Sequence, residues 1–231
     1  MKRFYKDATA RREGDGWLVM LDERPVKTAQ GKLQIVPSLG LAEAMAAEWR
    51  AQGEMLDPRS LPLRDLADLA IDVVAPDPQQ TIIETLPFAE TDTLCYRGDP
   101  GTPLFERQEA LWEPLLENLE RHTATRFERI SGVLHRPQPA ETIDALSREL
   151  AQLDPFRMAA VRTMASLAAS LCIALAALDP DSDPQELWNA ANLEEDWQAE
   201  QWGIDAEAAA VREAKEALFL TAGRFARLIG E

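Results

Sequence analysis

Hydrophobic positions change period once along this chain. Through the first forty residues they come in short runs: Arg3–Ala8 with Phe4 and Tyr5, Gly16–Leu21, Arg24–Thr28 and Leu33–Val36. Runs of that length predict β-strands, with Gly14-Asp15-Gly16, Asp22-Glu23 and Gln30-Gly31 as the turns between them. The expectation is a small antiparallel sheet with Trp17 anchoring its packed face. From Pro37 onward the spacing becomes that of a helix face. Ser38 is placed as the N-cap of a first helix striped by Leu41, Met45, Ala46 and Trp49. Leu66, Leu69, Ala70 and Val73 stripe a second helix near Arg64–Val74.

Ala75-Pro76-Asp77-Pro78 reads as a linker and predicts a boundary between residues 1–77 and residues 78–231. Beyond it the expected helices are Gln79–Ala89, Pro103–His122, Pro139–Leu153, Pro155–Leu178, Pro184–Trp202 and Asp205–Ile229. Several of them start with proline behind an acid such as Asp154 or Asp183, the usual N-terminal arrangement. Asp92–Tyr96 is expected as a connector or helical turn, Gly98–Thr102 as a loop, and Phe127–Arg136 reads equally as strand or helix. The run Met164–Leu178 is apolar all round and is expected in the middle of a bundle. The predicted class is α+β: a small, mostly antiparallel β domain with one or two helices, followed by an all-α helical bundle.

Composition narrows the function classes. The chain has 231 residues, 46% of them hydrophobic, enough to build a real core, and a formal net charge of −16. A surface so acidic repels phosphate backbones and anionic lipid, which argues against nucleic-acid or membrane-surface partners. Met164–Leu178 is about 15 residues long, short of the ~20 that span a bilayer. The N-terminal residues lack the apolar centre of a secretory signal and leave no room for a transit peptide. Cys95 and Cys172 lie far apart and suggest a reducing compartment, so the expected location is the bacterial cytoplasm.

Leu187–Ile204 is the most distinctive stretch. It reads as one helix ending at Gly203, with Trp188, Trp197 and Trp202 making up half of the chain's six tryptophans. On helical spacing Glu194 projects with Ala190, Ala191, Trp197 and Gln198, at the margin of an apolar stripe. A carboxylate there is either a solvated acid on a helix shoulder or a group held for a purpose. Aromatic rings beside carboxylates and glutamines make a partner-binding composition. Trp188 is expected in the core, while Trp197 reads equally as core or contact.

Other chemistry fails on residue type. Asp179-Asp181-Asp183 opens like a calcium loop, but Pro184 stands where glycine is needed and Ala190 where glutamate is needed. His122 and His135 do not pair with a cysteine at zinc-ligand spacing. Cys172 reads as an inert core thiol. Glu194, Glu195 and Asp196 are consecutive on a helix and point apart, so they form no catalytic dyad. No catalytic residue, cofactor or metal site is assigned.

Seven segments, in order, carry a family resemblance: KRFYKDA (Lys2–Ala8), GWLVMLDERPVKT (Gly16–Thr28), LAEAMAAEWRAQGE (Leu41–Glu54), LPLRDLADLAIDVV (Leu61–Val74), DTLCYR (Asp92–Arg97), RQEALWEPLL (Arg107–Leu116) and LEEDWQAEQWG (Leu193–Gly203). The chain resembles the assembly chaperones that hold the alpha subunit of the F-type ATP synthase before it joins the beta subunit. It departs from them at Glu23 and Ala29, at Trp197, where tyrosine or phenylalanine is commoner, and after Gly203, where a histidine is missing.

The resemblance implies a two-part fold and a binding protein without cofactor or turnover. It also assigns importance to Glu194, with Gln198, Trp202 and Gly203 completing the motif and Trp197 between them. The implied partner is an alpha subunit held transiently by a monomer. Two rivals remain on the residues alone: a small helical hydrolase or lyase with Glu194 as general base, and a passive structural subunit of the synthase.

Overall fold

The computed structural model describes residues 1–132 and 135–230. Its first element is a three-stranded antiparallel sheet of β1 (Ala8–Glu13), β2 (Gly16–Leu21) and β3 (Arg24–Pro25), in the order β1-β2-β3. The central strand β2 lies where its unbroken apolar sequence places it. β1 does not: it lies downstream of the expected Arg3–Ala8. Glu13 pairs with Gly16, so Gly14-Asp15 forms a two-residue hairpin loop with Gly14 at φ 59°. The strand is polar, ATARRE, because one of its faces meets water. Tyr5 is instead a packing residue, with its hydroxyl donating to the Trp49 carbonyl at 2.6 Å and its ring edge-on to Trp49.

The expected strand Leu33–Val36 is reduced to isolated bridges, Trp17 with Val36 and Lys27 with Leu33. Gly16 is required there, because a Cβ at that position would lie 2.8 Å from the Val36 carbonyl oxygen.

Helix α1 (Leu39–Arg50) is capped as expected: the Ser38 hydroxyl accepts the Leu41 N–H at 3.1 Å and donates to the Leu228 carbonyl. Helix α2 (Pro62–Leu69) continues into a π-helical turn, Ala70–Val74. That turn carries Asp72, which accepts from the Thr28 hydroxyl and the Gln30 N–H, both at 3.0 Å, and so ties the 28–32 turn to the helix.

The N-terminus of α2 is capped by a glutamate from α1. Glu48 accepts the N–H groups of Leu63 at 2.8 Å and Arg64 at 3.2 Å. Burial raises its carboxyl from 4.5 to about 7, against the pull of those two N–H groups. The folded value lies above the unfolded one, so this group's stabilisation is complete below pH 4.5 and lost as pH rises through about 7. After allowance for solvent screening the change is about 1–2 kcal/mol. Glu48→Gln is expected to flatten the fall in urea-unfolding free energy across that window. Identical slopes for both proteins would refute the assignment.

The remaining elements are α3 (Pro78–Thr85), α4 (Pro87–Glu90), β4 (Tyr96–Arg97), α5 (Pro103–Thr123), β5 (Ile130–Ser131), α6 (Ala140–Ala151), α7 (Pro155–Ala168), α8 (Leu171–Ala176), α9 (Pro184–Ala191), α10 (Leu193–Trp202) and α11 (Ala206–Leu228). The class is α+β, and the helical part also holds one short parallel pair, β4 with β5. β5 falls within the ambiguous Phe127–Arg136 stretch, of which residues 133–134 lie outside the described residues.

Besides Gln79–Ala89, which is interrupted at Leu86 and becomes α3 and α4, two expected single helices are each divided. Pro155–Leu178 breaks at Ala169, which takes φ 47°. α8 then restarts with the Ser170 hydroxyl accepting the Ile173 N–H and the buried Asp92 carboxylate accepting the Cys172 N–H at 2.9 Å. Asp92 also accepts the Leu94 N–H, so one carboxylate caps two helical turns. Burial pushes the Cys95 and Cys172 thiols well up, as expected of unreactive core residues. The second break, at Asn192, bears on the site below.

The chain forms two compact units. One comprises Met1–Pro78, Asp154–Ala160 and Thr221 onward, and the other Gln79–Leu153 and Val161–Leu220. In the first, Phe156 stacks on Phe225 at 6.3 Å. In the second, Trp112, Trp188 and Phe219 are fully buried. No described helix is long and apolar enough to cross a membrane.

Candidate partner-binding site

The single helix expected over Pro184–Trp202 is two helices because Asn192 leaves the helical conformation, at φ −105° and ψ 17°. Its backbone N–H and its side-chain amide both donate to the Trp188 carbonyl, at 3.1 and 2.8 Å. A short amide that bonds its own preceding turn competes with helix continuation. Glu194 therefore sits in the first turn of α10, beside Glu195 and Asp196, where the helix dipole favours acids. It does not share one helix face with Ala190 and Ala191 as the spacing suggested.

Helix α5 fixes this region from beneath. Trp112 is fully buried, and its indole N–H donates to the Ala190 carbonyl at 2.7 Å, anchoring the end of α9. One turn earlier Gln108 is also fully buried and is used at both ends: its oxygen accepts the Gly98 N–H at 2.8 Å, and its amide donates to Glu194 Oε1 at 2.6 Å. Gln108, Trp112 and Leu116 are spaced four apart on one buried face. A glutamine in that register had to find a partner, a signal the sequence already carried.

Glu194 is exposed as a residue, yet its inner oxygen lies against Gln108. Partial desolvation raises its carboxyl above the ordinary range, and the Gln108 hydrogen bond opposes the rise. Among the described residues no cation pairs with it. Glu194 is thus an acid held in place by a neutral donor, with its charge uncompensated.

The other motif residues separate into two groups. Trp197 is half-buried, with the Arg107 guanidinium 4.7 Å over its ring, and Arg107 in turn pairs with Glu200 at 2.9 Å. It is therefore a side chain stacked between α10 and α5, neither core nor bare. Trp188 is in the core as expected, 5.4 Å from Phe219. Gln198, Trp202 and Gly203 face a different neighbour. They line an open groove of about 1010 Å³ between α10 and α11. Trp202 is 79% exposed, and Gly203 ends α10 at φ 84°.

The acidic turn that resembles a calcium loop has ordinary uses: Asp179 accepts the Asp181 N–H, and Asp183 caps α9 through the Gln185 N–H. Among the described residues no group of three His, Cys, Asp or Glu side chains is placed to hold a metal.

Known proteins match this chain along its length. A family model for the ATP12 chaperone protein covers residues 2–120. The mitochondrial protein atp12 of Schizosaccharomyces pombe is 26% identical over 215 residues, 87% of this chain and 74% of that protein. The crystal structure of Atp12 from Paracoccus denitrificans is 32% identical, covers 99% of this chain and 98% of that one, and superposes with a TM-score of 0.91. A crystal structure of a protein from Agrobacterium tumefaciens is 37% identical over 98% of this chain and 85% of that one, with a TM-score of 0.92. The chain belongs to the ATP12 chaperone family, whose members assist assembly of the ATP synthase.

Proposed function

We propose that this protein captures the unassembled alpha subunit of the F-type ATP synthase, keeps it from aggregating and releases it to the beta subunit. The observation that carries this reading is Glu194. A structural acid in a partly desolvated position is normally paired with a cation, whereas this one is oriented by a buried amide and left with charge to offer. A basic or amide group on the client completes the pair, and exposed apolar area nearby supplies contact. An unassembled subunit exposes apolar interface of the kind that aggregates, which is what such a surface would cover. The protein acts as a monomer in the bacterial cytoplasm, as a binding protein without catalytic turnover.

The test is light scattering of purified alpha subunit with increasing amounts of this protein, followed by addition of beta subunit. Scattering is expected to fall until one chaperone is present per alpha subunit, and beta subunit is then expected to displace the chaperone. Undiminished aggregation with no complex on gel filtration would overturn the reading. Finding the protein at fixed stoichiometry in purified synthase would instead favour a structural subunit.

A further inference from the structure

The groove between α10 and α11 has its own chemistry, separate from that of Glu194. Three of its lining residues are large, apolar and bare: Trp202 is 79% exposed, Ile204 69% and Val211 53%. Large side chains so bare, next to one another, are uncommon on a monomer's surface and mark an interaction site. The rim is acidic, with Glu195, Asp205, Glu207, Glu213 and Glu216 around it. Two bases also line it, Arg212 and Lys215, but Arg212 is already bound to Asp196.

The platform is preformed. Asp205 caps the start of α11 by accepting the N–H groups of Glu207 at 3.0 Å and Ala208 at 2.9 Å. The helix therefore begins in an ordered state although residues 206–208, 210 and 211 are exposed. A helical turn with so little burial gains little from packing within this chain, and it presents its small alanines and Val211 as a ready surface.

Charge decides the occupant. A second copy of this chain, at −16, would bring like charge to an acidic rim, and nucleic acid or anionic lipid would do the same. We infer that this groove docks an amphipathic segment of the client whose apolar residues are flanked by lysine or arginine, by the helix-in-groove mode. The inference rests on the chaperone reading for the identity of the client, not for the chemistry of the groove.

The experiment uses the full chain with overlapping fluorescent peptides that tile the alpha subunit. Three proteins are compared: wild type, a Trp202→Ser/Ile204→Ser double variant, and a Glu207→Lys/Glu213→Lys double variant. All four positions are exposed, and circular dichroism and urea unfolding confirm the folds. Bound peptides are expected to be basic and amphipathic. Loss of the apolar pair should weaken them about tenfold or more. Charge reversal should weaken them and reduce the salt dependence of binding.

Each outcome separates the two ideas. Peptides that are acidic or uniformly apolar, or unchanged binding by both variants, overturn the groove assignment. Intact alpha subunit protected equally by all three proteins overturns it too, while leaving the chaperone reading in place. Wild type that binds basic amphipathic peptides through the groove but does not protect alpha subunit would overturn the chaperone reading alone.

Discussion

Replacing Arg97 by alanine is expected to lower the unfolding free energy by about 3 kcal/mol, the low end for breaking a buried ion pair. Arg97 has a side chain only 2% exposed and bonds Glu109, Glu113 at 2.7 Å and the Leu94 carbonyl at 3.3 Å. Glu113 also holds Arg129 at 2.6 Å, and Arg129 bonds Glu120. β4 pairs in parallel with β5, and the Arg97 carbonyl accepts the Gly132 N–H just past it, so this network fastens the short parallel ladder to α5. Alanine leaves a carbonyl and a cavity unfilled, while Glu109 is half-exposed and recovers water, which keeps the loss from being larger. Arg97→Lys is expected to restore only part, because an ammonium cannot serve two carboxylates and a carbonyl with one planar fork. Urea unfolding measures both. A variant within 1 kcal/mol of wild type, on the scale of an exposed pair, would show that the network is ornamental.

The same arginine shows where sequence legibility stops. DTLCYR was recognisable as a segment, but Arg97's partners lie twelve and sixteen residues on, and side-chain pairing over that range leaves no periodic trace. β2 was legible because a strand buried along its length is apolar along its length. β1 was not, because its alternating faces and hairpin partner, rather than its own composition, make it a strand. Helix starts at Ser38, Pro103 and Pro155 were readable from local capping chemistry. The breaks at Ala169 and Asn192 were not, since neither glycine nor proline marks them. At Ala169 the freed groups are satisfied from afar: the Ala169 carbonyl accepts the Thr93 N–H at 3.1 Å, and Asp92 supplies the next cap. Motif wording drew Glu194, Trp197, Gln198, Trp202 and Gly203 together as one site. The fold turns the first two toward α5 and the last three toward the groove, a division fixed by which helix packs on which face of α10.

Substituting Glu194 by glutamine is expected to weaken alpha-subunit binding by about 2 kcal/mol or more, roughly thirtyfold in Kd, with little change in stability. The substitution is isosteric, and the new amide's oxygen can still accept the Gln108 N–H, so the fold keeps its hydrogen bond. What disappears is the charge. Because partial desolvation raises this carboxyl in the free protein and a client cation lowers it, forming the complex should release a proton. Wild-type affinity should accordingly fall as pH drops through the carboxyl's titration, and the variant's affinity should not. Gln108 orients Glu194 by its hydrogen bond and is expected to act as a positioning residue for the proposed contact, which a double-mutant cycle tests. In a Gln108→Leu background, where Glu194 is no longer oriented, Glu194→Gln should cost clearly less than it does alone. Gln108→Leu also strands the Gly98 N–H and lowers stability, so binding is compared well below each variant's melting temperature. If Glu194→Gln instead unfolds the protein, the carboxylate belongs to the scaffold. If affinity is unchanged at every pH, the client's charge is read elsewhere, and the acidic groove becomes the sole electrostatic contact to test.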